Sequence, residues 1–214
     1  MYSLFQFVIL LLLITDLLVL WSGRMLMLIR LSAVQGLLLA ALLLLPVDGE
    51  LNAELVFLAI AVCALKGFGF PTFLSHISHR LGMKPAARPR IGRFMPLLAG
   101  LVCLAFSLWL EDRIPEAKGL FPPLLLPVAL TTLFTGLIIV VSRGKALTQV
   151  IGYLVAENGI FILGIPLMTE GSMWFELSIL LDVFAAIFVM AIAISHLNSA
   201  FDSTDVAHFR NLRD

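Results

Sequence analysis

The sequence predicts an all-α integral membrane protein of about seven transmembrane helices, with its N-terminus outside and its C-terminus cytoplasmic. Three observations carry this. Of 214 residues, 61% are hydrophobic and only 13% are charged, far from the composition of a soluble domain. The apolar residues fall into stretches of about 20, the length that crosses a hydrocarbon core of about 30 Å. The basic residues are also one-sided. With alternating spans, Arg24, Arg30, Arg80, Lys84, Arg88, Arg90, Arg93, Arg143, Lys145, Arg210 and Arg213 share one face, against Arg113 and Lys118 on the other. That bias orients the chain. The zero net charge says nothing about a nucleic-acid partner, and no basic amphipathic stripe suggests one, so none is expected.

Span 1 is Leu4 to Trp21. Met1-Tyr-Ser-Leu has no basic region, and no small-residue cleavage site follows, so this span reads as a retained helix rather than a signal peptide. It carries Asp16 close enough to its end to snorkel or to hydrogen-bond a neighbour. Span 2, Met25 to Pro46, holds Gln35, a residue type that links helices inside membranes. Span 3, about Glu54 to Ile77, holds Lys66 near its centre. Pro71 removes a backbone donor beside Gly67 and Gly69, which predicts a kink or local unwinding just after the lysine. A long basic loop leads to span 4, Phe94 to Leu110. Span 5 is Leu120 to Val141, span 6 is Ala146 to Met168, and span 7 is Met173 to Leu197. The organisation is an N-terminal four-helix region (1–111), a three-helix unit (120–198) and a polar cytoplasmic tail (199–214). Spans 1–3 and 5–7 also form a weak parallel repeat, with Gln35 at the place of Glu157 and Lys66 at that of Asp182.

Candidate functional residues are those that an apolar span resists. A charge at the bilayer centre costs at least about 2.5–3.5 kcal/mol. At about 1.5 Å per residue, Glu157 lies roughly 16 Å from one face and Asp182 roughly 14 Å from the other, so both fall near the midplane. A desolvated carboxylate is suited to loading and unloading a proton; the bland alternative is a carboxylate that holds helices together. Asn158 is a candidate hydrogen-bond partner or water ligand beside Glu157. Lys66 reads either as a counter-charge to a carboxylate on another helix or chain, or as a relay lysine. Gln35 and Asp16 are supporting candidates. His76, His79, His196 and His208 read as interface residues, with proton entry as the alternative. Cys63 and Cys103 lie in separate spans, no metal-ligand spacing occurs, and both read as core residues. The chain is therefore expected to hold no metal or cofactor.

Arg143-Gly-Lys145, Gly152-Tyr-Leu-Val-Ala-Glu157-Asn158, Asp182 in the following span and the tail from Asp205 to Asp214 resemble the three-helix K subunit of bacterial complex I. The C subunit of multisubunit cation/proton antiporters is similar. In the K family two glutamates in successive helices serve proton translocation; Glu157 matches the first, and Asp182 stands where the second is one methylene longer. The extra helices in front, with Lys66, make the chain similar to component E of hydrogenase-4, the formate hydrogenlyase membrane subunit. The resemblance implies a subunit with no reaction of its own, in the inner membrane of a bacterium or archaeon. It also implies antiporter-like and quinone-site-like membrane partners and a peripheral arm carrying a nickel–iron site and iron–sulfur clusters. An antiporter subunit and a purely structural scaffold are the alternatives.

The topology is directly testable. A reporter enzyme active only in the periplasm, fused after Lys84, is expected to be silent, because Arg80 to Arg93 supplies five of the basic residues on the cytoplasmic side. Strong reporter activity would reverse the orientation.

Overall fold

A computed structural model describes residues 2–45, 53–80, 92, 94–114 and 121–167. All regular elements among them are helical. α1 is Tyr2–Trp21, α2 Met25–Leu43, α3 Ala53–Val62, α4 Phe70–Arg80, α5 Phe94–Arg113, α6 Leu125–Ser142 and α7 Ala146–Gly164. α3 and α4 are one continuous span joined by a π-helical segment, Cys63–Gly69. Six stretches among the described residues are therefore long and apolar enough to cross a membrane. The seventh expected span, with Asp182, lies outside the described residues, as do most of the basic loop and the tail.

The π segment refines the expected kink. Pro71 has no N–H to offer the carbonyl of Gly67. The chain meets this by widening the turn rather than by breaking: the N–H of Phe70 donates to the carbonyl of Leu65, five residues back. The wide turn begins before the lysine and contains it. Pro122, Pro123 and Pro127 likewise move the start of the fifth span inward, from Leu120 to Leu125. The residue before it, Leu124, is left-handed with φ 70°, an unusual state for a branched side chain. Its N–H is held by the Glu111 carboxylate at 3.3 Å.

The interior is layered along the membrane axis. One apolar cluster contains Val19, Leu20, Met25, Leu28, Phe70, Leu74, Ile139, Leu147 and Ile151. A second contains Phe5, Ile9, Leu12, Leu39, Leu42, Leu58, Val62, Leu125, Ala129, Phe161 and Ile162. Each of the five spans passes from one cluster to the other, and the gap on each is polar and buried. The gap residues are Asp16 on α1, Gln35 on α2, Lys66 in the π segment, Thr132 and Thr135 on α6, and Glu157 with Asn158 on α7. Both clusters draw on residues from either side of α5, so the N-terminal and C-terminal helices share one core.

Small residues bring the backbones close enough for short side chains to meet across this layer. A Cβ on Gly136 would lie 2.2 Å from the backbone nitrogen of Ala156, and one on Gly159 would lie 2.4 Å from that of Leu133. Gly36 does the same for α2: its Cβ would meet the Lys66 carbonyl carbon at 2.6 Å. α5 contributes little to this interior. It buries only Pro96, Gly100 and Ser107 and exposes Phe94, Met95, Leu98, Val102 and Trp109.

Gly136→Val is expected to destabilise the protein by at least about 1–3 kcal/mol, because the backbone of α7 blocks the new side chain. The exposed neighbour Leu137→Val should stay within about 0.5 kcal/mol. Unfolding midpoints in detergent compare the two; equal midpoints would rule out the close α6–α7 approach.

Candidate ionic site at mid-membrane depth

Lys66 and Glu157 form a buried ion pair, with Lys66 Nζ 2.9 Å from Glu157 Oε1. Their residues are 4% and 2% exposed. The ammonium faces one helix surface throughout. It also donates to Asn158 Oδ1 at 3.3 Å and lies 4.9 Å from the centre of the Phe161 ring. Phe161 lies one turn beyond the adjacent pair Glu157 and Asn158 on α7, at i+4 and i+3 from them, so all three side chains can reach the ammonium. The lysine thus has an anion, an amide oxygen and a ring face in a setting that excludes water. Desolvation alone would oppose a charge there; each of these partners offsets it.

The polar line continues away from the pair. Asn158 Nδ2 donates to Gln35 Oε1 at 3.4 Å, and Gln35 Nε2 donates to Asp16 Oδ1 at 2.8 Å. Asp16 is 0% exposed, and Thr132 Oγ1 lies 2.7 Å from its other oxygen. The same hydroxyl lies 2.9 Å from the carbonyl of Val128. Five helical segments are therefore joined by one chain of side-chain bonds.

Five of the six residues that the sequence singles out converge in this chain: Glu157, Lys66, Asn158, Gln35 and Asp16. Asp182 lies outside the described residues. Lys66 finds its carboxylate within its own chain, on another helix. Asn158 serves the lysine and Gln35. Asp16 hydrogen-bonds neighbouring helices instead of reaching the interface. Sequence reasoning missed Thr132, although Thr131, Thr132 and Thr135 stand out as hydroxyls in an apolar span. It also missed Phe161, which nothing in an apolar stretch distinguishes.

Arg143 is a further difference. It counts as a basic loop residue in the sequence, yet it is 2% exposed. Its Nη2 donates to the carbonyls of Ser22 at 2.8 Å and Leu20 at 3.4 Å. It thereby caps the open C-terminal carbonyls of α1. Burial pulls its guanidinium below the ordinary value. His76 and His79 are exposed and line a cavity of about 560 Å³ with Arg30, Thr72 and Ser75. Among the described residues no group of three His, Cys, Asp or Glu side chains is placed to hold a metal ion.

Fold and site together define a multi-pass helical membrane protein with a buried ionic network. The chain is 29% identical over 212 residues to an uncharacterized protein of Mycobacterium tuberculosis, covering 95% of this chain and 93% of that one. It is 30% identical over 120 residues to hydrogenase-4 component E of Escherichia coli K12, covering 56% of this chain and 55% of that protein. The Shigella flexneri component E matches equally. These component E matches span about half the length of either partner. No family model and no solved structure matches the chain.

Lys66→Met is expected to lower stability by up to about 3–5 kcal/mol, since it leaves Glu157 buried without its cation. The double variant Lys66→Met/Glu157→Gln should regain most of that. Unfolding in mixed micelles closes the cycle; additive losses would mean that the two charges do not interact.

Proposed function

We propose that this chain is a membrane subunit of a respiratory-type complex built around a membrane-bound nickel–iron hydrogenase of the formate hydrogenlyase kind, and that it contributes to proton translocation. The observation that carries the reading is the Lys66–Glu157 pair in the polar layer. A scaffold needs no ionisable groups there, and apolar residues of similar volume would hold the helices at least as well. A carboxylate beside a lysine can lose its proton at depth, and it can take one up when the pair opens. Asn158 and the Phe161 ring keep the ammonium in place during that opening. Asp182, in the following span, is the second carboxylate of the relay.

Similarity to hydrogenase-4 component E supports the assignment to such a complex. In it the redox chemistry belongs to other subunits: a peripheral arm carries the nickel–iron site and iron–sulfur clusters, and antiporter-like and quinone-site-like subunits are the membrane neighbours. The chain itself supplies buried charge. The one-sided basic residues support a C-terminal end on the cytoplasmic side, and the likeness to hydrogenase-4 component E supports the inner membrane of a bacterium or archaeon.

Glu157→Gln keeps shape and hydrogen bonding but removes the titratable proton. In an assembled complex in inverted membrane vesicles, it is expected to reduce the rate of proton uptake at least tenfold, about 1.4 kcal/mol in rate terms. Normal uptake at equal assembly would reject the relay role.

A further inference from the structure

The bonds of the polar line all point one way. Lys66 donates to Asn158, Asn158 to Gln35, and Gln35 to Asp16. The ammonium at one end and the carboxylate at the other fix both amides, each oxygen toward the cation and each NH₂ toward the anion. A neutral amide has no proton to release and no basic site to take one near neutral pH. The two-amide bridge therefore transmits polarisation between Lys66 and Asp16 but blocks proton transfer along the line.

Among the described residues the charges of this layer do not balance. Two buried carboxylates, Asp16 and Glu157, share one ammonium. Among the described residues no other charge faces the layer from the packed elements. α2 presents Gln35, and α6 presents Thr131, Thr132 and Thr135. α5 buries only Pro96, Gly100 and Ser107. α7 adds the uncharged phenol of Tyr153. The Arg143 guanidinium is held on carbonyls at the end of α1. Ionising both carboxylates would leave one uncompensated negative charge in an apolar interior, and such groups bind a proton instead.

Asp16 is built to hold that proton. The Thr132 hydroxyl has one hydrogen and two acceptors in reach, Asp16 Oδ2 and the Val128 carbonyl. With Asp16 ionised, Thr132 donates to it. With Asp16 protonated, the acid donates to Thr132 Oγ1, whose own hydrogen turns to Val128. Both states are fully bonded, and only a hydroxyl rotates.

We propose that Asp16 is a further proton-binding site of this subunit, coupled to Glu157 through the Lys66 charge and insulated from it by Gln35 and Asn158. This rests on the proton-handling reading above only for the use to which the proton is put. When a proton binds Glu157, the ammonium loses its anion and turns its field on Asp16, which then releases a proton. One proton enters at Glu157, one leaves at Asp16, Lys66 stays charged, and no electron moves. Asp16 sits about a turn and a half from the end of α1, so the released proton starts nearer that end than the one taken up.

The test uses the full-length protein in phospholipid nanodiscs, read by the infrared carboxylic-acid C=O band against pH. A band lost in Asp16→Asn assigns Asp16; Thr132→Val, which removes the acceptor of the acid's proton, should shift the same band and serves if Asp16→Asn fails to fold. Glu157→Gln, a neutral mimic of protonated Glu157, is expected to cut the protonated fraction of Asp16 at fixed pH by about tenfold or more, the size of a strongly coupled pair. Lys66→Met should raise it. The proposal is overturned if no band responds to Asp16→Asn or Thr132→Val. It is equally overturned if the Asp16 band ignores both Glu157→Gln and Lys66→Met. An unmoved band together with lost proton uptake in Glu157→Gln would reject the coupling and leave the relay role standing. A moved band with normal uptake would do the reverse.

Discussion

The cost of burying the Lys66 charge organises the middle of this protein. A lysine at that depth needs an anion, other donor-acceptor partners and exclusion from lipid. The chain meets each need with a different structural device. The π segment holds the lysine within a continuous span, Gly36 lets α2 press against it, and α7 supplies Glu157, Asn158 and Phe161 on one face. The glycine contacts between α6 and α7 then hold that face at a fixed depth. Removal of any one device would expose a charge or open a void, which makes the helices interdependent.

The polar layer also explains why the two apolar clusters are separate. An uninterrupted core from end to end would pack as well or better, since buried ionic groups seldom add net stability. The layer instead specifies register. A sliding α2 or α7 would detach Gln35 or Asn158 from partners that have no water to replace them. The same scarcity of alternatives gives the line its single polarity from ammonium to carboxylate.

Legibility in the sequence follows the physics. Glu157, Lys66, Asp16, Gln35 and Asn158 stand out because polar side chains in an apolar span are costly, and cost is visible without a structure. The irregularity near Pro71 is visible for the same reason, since a missing donor is a property of the residue. The length of the π segment is not, because it depends on which carbonyl the next N–H finds. Arg143 misleads because a basic residue in a short loop is ordinarily solvated, and only the end of α1 arriving beside it makes burial favourable. Phe161 is invisible because one phenylalanine among many apolar residues carries no mark until a cation lies over it.

Composition and residue order are enough for a helical, multi-pass membrane protein, the approximate spans and a short set of buried polar residues. These follow from transfer free energies and from local periodicity, which act residue by residue. It takes the packing of the helices to pair Lys66 with Glu157, to turn Asn158 to Gln35, and to close the line from Asp16 to Thr132. Partner choice across helices depends on depth, rotation and close approach together. Those are set where Gly36, Gly136 and Gly159 let backbones touch, and no single stretch of sequence contains them.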